Sequence, residues 1–160
     1  MSASSWQTLR RQDLLSMWTL KALRKLSAPN IILLTECFAF VLIIRVGLTL
    51  SSYNALRKLL LRGDPKQEAS AADAYRIAWA VRNTARLVPK ATCLTQALAG
   101  QVALSRRGLA SSIKIGVIRT PEGALKAHAW LLSSHQIILG GNDRSVADFT
   151  PLAEFGSRSK

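Results

Sequence analysis

The sequence predicts an α+β fold, with a helical N-terminal part over residues 1–66 and a mixed core over residues 67–160. Three observations carry this expectation. Apolar residues recur at helical spacing through the first half and again between 73 and 107. After Gly108 the pattern changes to short, β-branched runs separated by turn residues, the signature of a small antiparallel sheet. With 160 residues, 49% of them hydrophobic, the chain can enclose one real core.

The elements follow in order. Residues 1–26 interleave Trp6, Leu9, Leu14, Leu15, Trp18 and Leu23 with Arg10, Arg11, Lys21, Arg24 and Lys25, which predicts an amphipathic helix. The favoured role is packing on the domain or on a partner; a membrane-surface helix is the sharper alternative. The stretch lacks the uninterrupted apolar run and small-residue cleavage site of a secretory signal. Pro29 suits the first turn of a second helix. Ile31 to Ile44 is the most apolar part of the chain, yet Glu36 and Arg45 bracket its charge-free segment at 37–44. A membrane span needs about 20 mostly apolar residues, so this reads as a buried or interfacial helix, with Cys37 as a small hydrophobe. Ala55–Arg62 is a third, basic helix closed by Gly63-Asp64-Pro65, and 63–72 reads as a linker.

In the second half, Asp73–Leu87 places Ile77, Ala80, Val81 and Thr84 on one helical face before Pro89 stops it. Cys93 to Arg107 is rich in Ala, Leu and Gln and ends in two arginines and Gly108, a helix C-terminus. Strands are predicted at 112–119, 126–132 and 136–139, with turns at Thr120–Gly123 and Ser133–His135. Gly140-Gly141-Asn142-Asp143 ends the last strand.

Composition excludes several classes. The chain carries 22 Lys+Arg against 9 Asp+Glu, a net charge of +13. Residues 1–66 hold ten basic and three acidic side chains, and residues 67–160 hold twelve and six, so the surplus is general rather than a tail. It favours anionic partners, but no groove-entering motif points to nucleic acid. A closed zinc site would consume both Cys and both His. Two cysteines cannot staple a domain of this size, and their scarcity suggests a reduced, cytoplasmic setting, with peripheral membrane contact as the alternative. No metal or cofactor is expected.

Chemistry concentrates at Cys93, His128 and an acidic residue. A helix start favours the thiolate through unpaired N–H groups. An imidazole can take the thiol proton, and His128 follows 35 residues later on a strand between Ala127 and Ala129. A third group must hold the imidazole's tautomer. Asp143 is the candidate, at the end of the next strand, with Asn142 and Asp148 as rivals. Backbone N–H groups at the helix start, with Gln96 as a further donor, would face an oxyanion. His135 reads as a solvated turn residue and Trp130 as core. A solitary Cys and His are more often structural than reactive.

The ordered set Cys93-Leu-Thr-Gln-Ala-Leu-Ala, Leu104-Ser-Arg-Arg-Gly-Leu-Ala110, Ile115-Gly-Val117, Ala127-His-Ala-Trp-Leu131, Leu139-Gly-Gly141 and Phe149-Thr-Pro-Leu152 resembles the lasso-peptide leader peptidases. These are stand-alone B proteins with a transglutaminase-like, papain-related core. The resemblance covers about residues 73–155, and the helices of 31–62 resemble the family's N-terminal part. It implies a cysteine peptidase with Cys93 as nucleophile, His128 as general base and acid, and Asp143 as orienting residue. Its partners would be a precursor peptide, a separate leader-binding protein and an ATP-dependent lasso cyclase. A transglutaminase-like acyl transferase and a basic, membrane-associated peptide-presenting adaptor are the alternatives.

Overall fold

The computed structural model describes residues 28–61, 65, 67–121, 123–141 and 149–156. The amphipathic helix expected within 1–26 lies outside them, as do Asn142, Asp143 and Asp148. Contacts divide the chain into Met1–Ile32 and Leu33–Lys160. Of the first unit only residues 28–32 are described, and they begin helix α1.

Helix α1 runs from Ala28 to Leu50, longer than its apolar core alone predicts. Leu33, Cys37, Phe40, Val41 and Ile44 recur at helical spacing and are buried, while Leu42, Ile43 and Val46 face out. This is the one helix among the described residues with the length and composition to cross a membrane. Of its two charged side chains, Glu36 and Arg45, the first pairs with Arg107 at 2.5 Å. Helix α2 (Tyr53–Leu60) starts under Ser52, whose hydroxyl accepts from the Ala55 amide, and buries Leu56.

The linker expected at 63–72 is corrected in its second part. Strand β1 (Gln67–Glu68) pairs in parallel with β2 (Leu109–Ala110), and Ser70 caps helix α3 (Ala71–Ala85). The Ser70 hydroxyl accepts from the Asp73 amide and donates to the Asp73 carboxylate at 2.7 Å. A serine three residues ahead of an acid is a helix-start pattern, and here it outweighs the turn-rich composition. Ile77, Ala80, Val81 and Thr84 are buried, as their spacing predicts.

Helix α4 (Cys93–Ser105) is buried along most of its length. Gly100 allows this: a Cβ there would run into the side chains of Leu131 and Leu139, so the helix lies directly on the sheet. That sheet has the order β5-β4-β3-β6 and is antiparallel throughout. Strands β3 (Ser112–Arg119), β4 (Leu125–Ser133) and β5 (Gln136–Leu139) follow the expected pattern. Strand β6 (Thr150–Gly156) does not, because its TPLAEFG stretch holds a proline and one β-branched residue. It is recruited by packing: Phe155 lies against Tyr53 with ring centroids 5.0 Å apart, and Arg57 donates to the Gly156 carbonyl at 2.6 Å. One core joins α1 through Val41 and Ile44, α3 through Val81, α4 through Leu98 and Leu104, and the sheet through Ile113 and Leu131. Each such fully buried aliphatic side chain contributes about 1.5–3 kcal/mol.

The β4–β5 hairpin turns on Ser134 and His135, both at positive φ (46° and 64°). Two such residues make a turn that follows the strands' own twist. His135 is exposed there, in keeping with a turn role.

Candidate active site

Cys93 is the first residue of α4. Its helix is capped by Thr92, whose hydroxyl accepts from the Thr95 amide at 3.3 Å and shares a hydrogen bond with the Thr95 hydroxyl at 3.1 Å. The Gln96 amide bonds the Thr92 carbonyl. Among the described residues this leaves the Cys93 and Leu94 amides as the unpaired donors of the first turn. Lys90, just before, holds φ = 58°, a left-handed conformation unusual for lysine that turns the chain from Val88 back toward Cys93. Cys93 is half-buried.

His128 sits on β4 opposite Gly116 of β3. Its ring lies 4.9 Å from Trp130 and 6.0 Å from Phe149, and Trp130 and Phe149 meet edge-on at 4.8 Å. Gly116 makes room for this cluster, since a Cβ there would come within 3.1 Å of the Trp130 ring. Trp130 is fully buried, as core packing predicts.

The imidazole is held by backbone. His128 Nε2 lies 2.8 Å from the Gly140 carbonyl oxygen. A carbonyl can only accept, so Nε2 carries the proton and Nδ1 of the neutral ring keeps its lone pair. Gly140 can turn its carbonyl this way because its φ is 87° and a Cβ would approach the Ala129 carbonyl to 2.5 Å. Just before it, a register shift in the β4–β5 ladder passes over Ile138, and Arg82 of α3 donates to the Ile138 carbonyl at 2.8 Å.

These elements enclose an open cavity of about 430 Å³, lined by Arg82, Ala85, Arg86, Ala91, Cys93, Gln96, His128 and Gly140. The structure thus brings together Cys93, His128 and Gln96. Asp143 and its rivals fall outside the described residues. Sequence reasoning missed three contributors: the Gly140 carbonyl, Arg82 and Arg86. The carbonyl has no side-chain signature, but the arginines have one, because an i, i+4 pair at the end of α3 must share a face. No cluster of three or more metal-ligating side chains occurs among the described residues.

A helix-borne thiol and a strand-borne imidazole on one cavity is the arrangement of thiol-dependent hydrolases and acyl transferases. Residues 38–154 match the model of the Transglutaminase-like superfamily, and the chain belongs to it. That superfamily includes both cysteine peptidases and acyl transferases. Comparison with curated proteins and with solved structures returns no match.

Proposed function

We propose that the chain is a cysteine peptidase that removes the leader from a ribosomally synthesised lasso-peptide precursor. It would act with a separate leader-binding protein, ahead of an ATP-dependent cyclase that closes the macrolactam. The observation that carries the peptidase reading is that Cys93 and His128 line one open cavity while His128 Nε2 is engaged by the Gly140 carbonyl. The finer assignment rests on the ordered motifs around Cys93, His128 and Phe149.

In this reading His128 Nδ1 takes the Cys93 proton and the thiolate attacks the scissile carbonyl carbon. The Cys93 and Leu94 amides, with Gln96 beside them, stabilise the oxyanion. His128 then returns its proton to the departing amine, which is the new N-terminus of the core peptide. Water, deprotonated by His128, hydrolyses the thioester and frees the leader acid and the thiol. Asp143, three residues beyond Gly140 and the orienting residue that the motif resemblance implies, would stabilise the imidazolium by its charge while the Gly140 carbonyl holds Nε2.

Mass spectrometry of a precursor incubated with the full chain and its leader-binding partner tests this. Leader loss is expected with the wild type and not with Cys93→Ala or His128→Ala. An intact precursor in all three, with the partner shown to be bound, would sink the peptidase reading, and cleavage by all three would sink the assigned site.

A further inference from the structure

Tyr75, Trp79, Arg82 and Arg86 stand at i, i+4, i+7 and i+11 along α3. At 3.6 residues per turn they fall within about 60° of one another, so they form a single stripe. Arg86 caps the helix with αR backbone and therefore keeps to this face. Tyr75 and Trp79 are 52% and 43% exposed, although both are large aromatic residues. Arg82 and Arg86 form the stripe's other end, and there they line the cavity that holds Cys93 and His128. The stripe is therefore continuous with the candidate site.

Among the described residues, the cavity lining contains two guanidinium groups and no carboxylate. One face of Arg82 is spent on the Ile138 carbonyl, which holds the group in place and leaves its remaining N–H groups for a ligand. Arg86 is exposed and makes no ion pair among the described residues. A planar guanidinium pair is suited to a carboxylate.

We infer that this stripe is the track for the substrate peptide, with Arg82 and Arg86 receiving an acidic side chain next to the scissile bond and Trp79 and Tyr75 receiving an apolar one. The inference rests on the peptidase reading only in calling the occupant a substrate. From Arg86 to Trp79 the helix rises about 10 Å, which an extended peptide covers in about three residues. The preferred peptide thus has an acidic and an apolar residue three positions apart.

Protection of the Cys93 thiol tests this without requiring cleavage. The full-length protein is alkylated with iodoacetamide, a neutral reagent, and modification of Cys93 is followed by peptide mapping. The protecting probes are the blocked tetrapeptides Leu-Ala-Ala-Glu and Glu-Ala-Ala-Leu, each beside its Gln counterpart. In one of the two orientations the Glu peptide is expected to half-protect at roughly fivefold lower concentration than its Gln counterpart at low salt, with the gap narrowing as salt is added. Arg86→Gln should erase the gap, Arg86→Lys should keep part of it, and Trp79→Ala should weaken both peptides alike. Equal protection by Glu and Gln peptides in both orientations overturns the inference, as does a gap that survives Arg86→Gln. Failure of the leader-cleavage experiment with the Glu preference intact would remove the peptidase reading and leave the acidic-peptide track standing.

Discussion

Cys37 and Cys93 are the same residue in two settings that differ in nearly every physical respect. Cys37 lies in the middle of α1, completely buried, with its amide inside a continuous helix. Burial pushes its thiol from the ordinary 9.0 up to about 12; the carboxylate of Glu36 adds to this and the Arg107 guanidinium opposes it. Cys93 opens α4, half-buried, beside free backbone donors and on a cavity shared with an imidazole. The contrast lies in position on a helix rather than in residue type, and under the proposed function it would separate a packing thiol from a nucleophile.

The strongest way to break the comparison is to exchange the roles by mutation. Cys93→Ala should lower peptide turnover by roughly a thousandfold or more, whereas Cys37→Ala should leave turnover near wild type. Comparable losses in the two variants, at matched folded fraction by circular dichroism, would show that Cys93 has no special role.

A second test uses pH. Because the folded-state value for Cys37 is raised, its neutral thiol stabilises the fold fully below about pH 9, and the contribution is lost as pH rises toward 12. The Tyr53 hydroxyl, also pushed by burial from 10.0 to about 12 against the pull of Arg57, loses its share from about pH 10 upward. Urea unfolding should therefore show stability falling between pH 9 and 11, and Cys37→Ala should flatten part of that fall. An identical pH slope in the variant would mean that Cys37 ionises as freely folded as unfolded.

The smallest expected effect sharpens the Cys93 side. Thr92→Ala removes the cap of α4 and should cost about 1 kcal/mol in urea unfolding. Thr92→Ser, which keeps the hydroxyl, should recover most of it. A Thr92→Ala protein as stable as wild type would mean that the α4 start is held by the sheet alone.

Much of this was legible from the residues. The stop at Gly108 marks a helix end and the alternation in Ser112–Arg119 marks a strand, because each is a local signal, whereas the cap Ser70 lies inside the stretch whose composition predicts a linker. Cys93 and His128 could be paired by reasoning about a helix start and a following strand. What could not be read is what depends on distant packing. Strand β6 forms through Phe155 on Tyr53 and through Arg57 on Gly156, about a hundred residues away in sequence. Strands β1 and β2 are two residues each and exist through their mutual pairing. The grip of the Gly140 carbonyl on His128 follows from a register shift at Ile138 that no composition announces.

The sheet's two borders have a consequence for how the protein behaves in company. An open border displays unpaired backbone groups that another chain can extend, and such borders favour aggregation when long and flat. Here β5 is only four residues long, and the carbonyl at its irregular step is already occupied by Arg82. On the opposite border β6 carries Pro151, which has no N–H to offer, and the charged Glu154, and its ladder shifts register at Ile115/Gly116. Neither β5 nor β6 thus offers a second chain a long, regular strand to extend.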